Sequence, residues 1–184
     1  DKKALTGYVS EKEAGIQQLE KIIKRVLEDK ARFERELRIR QQQETLKTKS
    51  FRALRGQLPW PADGRVISKF GRQWNPKLKT TTENPGIDIK GKPGSSIRTV
   101  LGGVVTTITY IRGYGTTIIV DHGGGFYTVY SHVTNIQTNV DSQVRNGDVI
   151  AYMGDTGSIN GSKLHFEIWG KGQKLDPEKW LRKK

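Results

Sequence analysis

Lys163-Leu164-His165-Phe166-Glu167-Ile168-Trp169 decides how the rest of the chain is read. Leu164 to Trp169 reads as a short β-strand. Positions i and i+2 share a face, so Lys163 and His165 look into one space, the arrangement by which an H-x-H pair presents one metal ligand and one catalytic base. Here the first member of the pair is a lysine. Two other segments belong with this one, Asn84-Pro85-Gly86-Ile87-Asp88 and Tyr130-Ser131-His132.

Outward from that stretch, short runs rich in Val, Ile, Thr and Tyr predict strands at 66–70, 96–100, 104–111, 116–120, 126–132 and 148–152, separated by turns such as Arg112-Gly113-Tyr114-Gly115 and His122-Gly123-Gly124-Gly125. Asp176-Pro177-Glu178-Lys179-Trp180-Leu181 reads as a single helical turn, with Asp176 as N-cap and Pro177 at its first position. The fold class expected is mainly β, a compact antiparallel domain over residues 57–184, preceded over residues 1–56 by a helical segment and linker.

The helix is expected from Ser10 to Ser50. Ser10-Glu11-Lys12-Glu13 has capping-box spacing, and Ile16, Leu19, Ile23, Val26, Lys30, Phe33 and Leu37 recur at alternating steps of three and four, the seam of a coiled coil. At 1.5 Å per residue this is a rod of about 60 Å. Its apolar stripe needs a partner: another copy, an earlier part of the same chain, or the following domain. A longer coiled coil is the preferred reading, with an amphipathic helix packed on the domain as the alternative; a helix folded over a neighbouring groove is a further expectation. Gly56-Gln57-Leu58-Pro59-Trp60-Pro61 ends the helical pattern, because the prolines remove amide donors and favour an extended path.

The 184 residues carry a formal charge of +13, shared between the helical segment and the β-domain. Such a charge suits an anionic surface, yet no helix-turn-helix, zinc-finger or RNP signature and no phosphate loop accompanies it, so nucleic acid is not the expected partner. Cysteine is absent, which removes disulfides and thiolate metal sites. No run of apolar residues is long enough to span a bilayer. A chain beginning Asp1-Lys2-Lys3, with no visible signal peptide, reads as a processed or trimmed fragment.

The three site segments, in this order, resemble the LytM-type (lysostaphin-like) zinc peptidases that cut peptidoglycan peptides. The likeness covers residues 58–181 and includes Leu58-Pro59-Trp60-Pro61, Phe70-Gly71-Arg72, Gly86-Ile87-Asp88-Ile89, Val129-Tyr130-Ser131-His132 and Gly147-Asp148. The resemblance implies zinc ligands at the positions of Asn84, Asp88 and His165, and catalytic histidines at those of His132 and Lys163. Asn84 and Lys163 depart from that pattern. Catalytic zinc needs three protein ligands and an open fourth place, and an Asn carbonyl is a poor, neutral substitute. An ammonium about 5 Å from the dication would be repelled by each of its two charges by roughly 3 kcal/mol at an effective dielectric near 20. The expectation is therefore no bound zinc and no catalysis, with the Lys163 ammonium facing the Asp88 carboxylate.

An upstream coiled coil, Leu-Pro-Trp-Pro and a broken zinc site together are similar to the EnvC-type family of murein hydrolase activators. That resemblance implies an exported, periplasmic protein of a Gram-negative envelope, which switches on a peptidoglycan amidase in cell division and contacts a division-associated membrane complex through its coiled coil. Peptidoglycan itself is a further candidate partner. The positions expected in or beside the amidase-binding groove are Asn84, Lys163, His165, His132 and Trp169, with Tyr130 and Arg72 added on position alone. His165, His132 and Trp169 each have a plain packing alternative, and His122 reads as a turn residue. The rival functions are an active zinc endopeptidase, for which Glu83 would be a replacement ligand, and a peptidoglycan-binding module.

Overall fold

The computed structural model describes residues 2–159 and 161–184. Contacts divide the chain into two compact units, Asp1–Glu44 and Thr45–Lys184. From Lys2 onward the first unit belongs to α1 (Lys2–Ala53). Ser10 therefore lies inside the helix and caps nothing: the residues before it continue the helical hydrogen bonding, so the capping-box pattern is overridden. Ile16, Leu19, Ile23, Val26, Phe33 and Leu37 are all exposed along this helix, each by 45% or more. Among the described residues no helix is long and apolar enough to cross a membrane.

The second unit takes in the last turns of α1, ahead of the linker at Gly56. Phe51 is buried there, stacked on Phe126 with ring centroids 4.0 Å apart and tilted against Trp180 at 5.2 Å. The strands that follow are β1 (Arg65–Ser68), β2 (Gly71–Asn75), β3 (Thr80–Asn84), β4 (Ile87–Lys90), β5 (Ser96–Arg98), β6 (Gly103–Ile111) and β7 (Gly115–Gly123). After them come β8 (Phe126–Ser131), β9 (Val133–Thr134), β10 (Gln143–Val144), β11 (Val149–Met153), β12 (Leu164–Gly170) and β13 (Gln173–Leu175), then the short α2 (Pro177–Trp180).

The main sheet runs β1-β4-β12-β8-β7-β6-β10, with β13 pairing the end of β12. Every pairing in it is antiparallel. A smaller sheet, β5-β11-β9, and the hairpin β2-β3 complete the domain. The hairpin, β4, β9, β10 and β13 are additional to the strands expected from the sequence. At α2, Asp176 accepts from the Glu178 amide at 3.1 Å.

Alternation in β12 sorts the sheet into two faces. Leu164, Phe166 and Ile168 are fully buried, and the register Phe166–Tyr130–Ile118 continues one core row across three strands. The other face carries His165, Glu167 and Trp169, opposite Ser131, Val129 and Tyr127 of β8. Gly86, just before β4, passes so close to β12 that a Cβ there would lie 2.1 Å from the Phe166 carbonyl oxygen; only glycine fits. This close approach sets Asp88 beside His165.

Candidate functional site

On the open face of β12 the side chains form a continuous polar ladder. Lys163 Nζ donates to Asp88 Oδ2 at 2.8 Å, and Asp88 Oδ1 lies 2.6 Å from His165 Nδ1. His165 Nε2 lies 2.8 Å from Glu167 Oε1, and Trp169 Nε1 donates to Glu167 Oε2 at 2.6 Å. The parity of one strand supplies Lys163, His165, Glu167 and Trp169; β4 supplies Asp88.

The charges interlock. Burial pushes the Asp88 carboxyl up, but hydrogen bonds from His165 and Lys163, with their charges, hold it below its ordinary value. Glu167 follows the same pattern: burial raises it, and bonds from His165 and Trp169 bring it lower. Burial alone would lower His165, and the carboxylates of Asp88 and Glu167 raise it instead. Two cations thus face two anions, and the ladder is near neutrality within itself.

His132 stands beside the ladder, its ring centroid 6.5 Å from that of His165 and Nδ1 2.7 Å from the Thr156 carbonyl oxygen. Its backbone is left-handed, with φ of 62°, a conformation sparsely populated by residues other than glycine. Burial, followed by the positive neighbours Lys163 and His165, outweighs the Thr156 bond and keeps its pKa below the ordinary histidine value. Tyr114 meets His165 edge-on at 5.3 Å. Burial and then the Glu167 charge push its phenol up.

The zinc that the LytM-type resemblance implies does not fit this donor set. Both Asp88 oxygens and both His165 nitrogens already face partners within 2.8 Å. Asn84 is turned away from a ligand's role: its Nδ2 donates to Ser68 Oγ at 2.9 Å and its Oδ1 accepts the Gly86 amide at 3.1 Å. Glu83 is exposed in β3, opposite Arg72. Among the described residues no three His, Cys, Asp or Glu side chains are grouped to hold a metal ion.

Beside the ladder the same face sinks into an apolar trough of about 540 Å³, crossing from Trp169 and Glu167 through Tyr127 and Val129 to Ile119 and Ile111. Asn84, Lys163, His165 and His132 do not line it; they build the wall of the ladder, which meets the trough at Glu167. Trp169 does line it and is half-buried.

One positional expectation changes. Tyr130 belongs to the core: it is fully buried, and its hydroxyl accepts from the Val100 amide at 3.1 Å and from Thr128 Oγ1 at 3.0 Å. Its parity with Phe166 puts it on the opposite face from His165. Arg72 is exposed on the β2-β3 hairpin and is not among the trough's lining residues. His122 is the penultimate residue of β7 and not part of a turn, bonded to the Gly102 carbonyl at 2.9 Å and to Thr128 Oγ1 at 2.7 Å. Glu167, Tyr114 and Tyr127 were missed by sequence reasoning. The period-two rule applied to Lys163 and His165 finds Glu167 when carried one step further; nothing local marks Tyr114 or Tyr127.

The pattern of peptidase family M23 matches residues 82–177, and the chain belongs to that family. Among relatives it is similar to the murein hydrolase activator EnvC of Escherichia coli strain K12, 33% identical over 129 residues, which are 70% of this chain and 30% of EnvC. The murein hydrolase activator NlpD of the same strain is 37% identical over 123 residues, 66% of this chain and 30% of NlpD. DD-carboxypeptidase/endopeptidase Mpg of Neisseria meningitidis serogroup B is 34% identical over 113 residues, 61% of this chain and 26% of Mpg. The chain thus spans less than a third of the length of these relatives. A zinc-containing peptidase from Vibrio cholerae shares the fold, with a TM-score of 0.63 and 23% identity over 68% of this chain and 40% of that one.

Proposed function

We propose that this chain is a non-catalytic activator of a peptidoglycan amidase in the periplasm of a Gram-negative cell, acting in cell-wall hydrolysis at division. The observation that carries the reading is the Lys163–Asp88 contact at 2.8 Å, an ammonium held on a carboxylate that the LytM-type resemblance makes a zinc ligand. Relatives named murein hydrolase activators support the same reading. What such a scaffold retains is a shaped face with apolar floor and polar wall, able to take up a segment of another protein. If the amidase exchanges between shut and open forms, the activator works by binding the open form more tightly, and only that difference in affinity counts. The exposed apolar residues of α1 suit a coiled-coil contact with a division-associated membrane complex.

The test is an assay of purified amidase on dye-labelled peptidoglycan, with and without this protein. The expected result is a rise in dye release with the amidase and none from this protein alone. Cleavage of cell-wall peptides by this protein unaided would overturn the proposal, as would failure to raise the rate of any peptidoglycan amidase. A second reading, an active zinc endopeptidase, has the name of the Mpg relative in its favour; the same assay without amidase decides it.

A further inference from the structure

The main sheet ends at the short β10, which leaves most of the outer edge of β6 open. Gly103 and Val104 pair with β10, and Val105 exchanges backbone bonds with Ser142 and Asp141 at 2.9 and 2.8 Å. From Thr106 to Ile111 no strand of the described residues lies on the outer side. Thr109, Tyr110 and Ile111 are exposed in succession, as befits an edge. Edge strands are ordinarily blunted by Lys, by Pro or by being short. This one reads Thr106-Thr107-Ile108-Thr109-Tyr110-Ile111, all β-formers or β-branched, with neither charge nor proline.

The apolar trough runs to this same edge, since Thr106 and Ile111 are among its lining residues with Ile119, Val129 and Trp169. Backbone edge and side-chain pocket therefore adjoin, which is the combination that strand addition uses: main-chain bonds for affinity, a pocket for specificity. Charge narrows the occupant. Residues 45–184 hold 21 Lys and Arg against 10 Asp and Glu. Arg112 follows Ile111 directly, and Lys174 Nζ lies 5.8 Å from the Trp169 ring centroid. Glu167, the carboxylate at the floor, is already held by His165 and Trp169. Such a surface disfavours a second copy of itself and favours an acidic partner.

We propose that the outer edge of β6, Thr106 to Ile111, receives an extended apolar segment of the amidase, flanked by Asp or Glu, which adds a strand to the sheet and seats a side chain in the trough. The proposal rests on the amidase reading above. Its test measures hydrogen exchange of this protein alone and with the amidase it activates, together with amidase affinity for Thr109→Lys and Thr109→Val. Thr109 is exposed, so neither change should unfold the domain. Expected are slowed exchange at β6 amides on binding, an affinity loss of about tenfold or more for Thr109→Lys, and near-native affinity for Thr109→Val. If wild-type protein binds and activates the amidase while β6 amides stay unprotected, or Thr109→Lys binds as wild type does, strand addition is refuted and the amidase reading stands. If wild-type protein activates no amidase, both fall. Protection of β6 that grows with the concentration of this protein alone names a second copy as the occupant and overturns the proposal.

Discussion

Replacing Lys163 by Met removes one charge from the ladder and keeps the length and apolar stem of the side chain. At 2.8 Å, with both side chains about 13% exposed, the gross attraction between Lys163 and Asp88 is ~6 kcal/mol at an effective dielectric near 20. Withdrawing both groups from water offsets most of that, and a charged hydrogen bond of this kind contributes about 2 kcal/mol net. His165 stays on Asp88, so the carboxylate is not left alone and the loss stays at the lower end of what breaking a buried pair costs. The measurement is a double-mutant cycle with Asp88→Asn, read by urea unfolding of the four proteins. The expected coupling is about 2 kcal/mol, with the midpoint of thermal unfolding of Lys163→Met lower by roughly 4–10 °C. A coupling under about 0.5 kcal/mol, the scale at which independent sites add, would show that the pair is incidental and that the chemistry assigned to this wall is wrong.

Restoring the two departed positions together, Asn84→His with Lys163→His, is expected to create near-stoichiometric zinc binding measurable by mass spectrometry of metals, whereas Asn84→His alone keeps the Lys163 ammonium on Asp88 and Lys163→His alone lacks the ligand at position 84; no gain in the double variant would contradict the donor-set argument. Stability should follow pH with opposing signs. Asp88 and Glu167, lowered on folding, contribute above their unfolded values near 4 and lose that contribution as pH falls. His165, raised on folding, contributes fully below its unfolded value near 6.5 and less as pH rises through its folded one. His132, lowered on folding, opposes it below about 6.5. His165→Gln should therefore cost more stability at pH 6 than at pH 8.5 in paired melts, and an equal cost at both would refute the assignment. Tyr130→Phe should lower stability by about 1 kcal/mol through the orphaned Val100 amide and leave amidase activation per folded molecule unchanged; a selective loss of activation would return Tyr130 to the binding face.

The parts of this molecule that could be read from its sequence are those where chemistry repeats at short range. Leu164, Phe166 and Ile168 alternate with polar residues, so β12 and its two faces follow from local pattern, and with them the pairing of Lys163 and His165. The β2-β3 hairpin has no such signal: Thr80 to Glu83 are exposed on both faces, and no alternation marks them. Tyr130 was assigned to the groove by its place in a motif, although its register with Phe166, set by a partner 36 positions away in the chain, puts it in the core. The trough assembles side chains from β6, β7, β8 and β12. No single segment contains enough of it to be recognised. At the helix, Ser10 offered a local start that the flanking residues did not need, whereas Asp176 had Pro177 behind it and became a true cap.

The Lys163 ammonium is a counter-ion on a tether. Its concentration at Asp88 is set by a few carbon–carbon bonds, so dilution, dialysis and chelators leave it in place, and a competing divalent ion must displace a group that never diffuses away. On the function proposed above, the conformation of this wall is carried by the polypeptide itself.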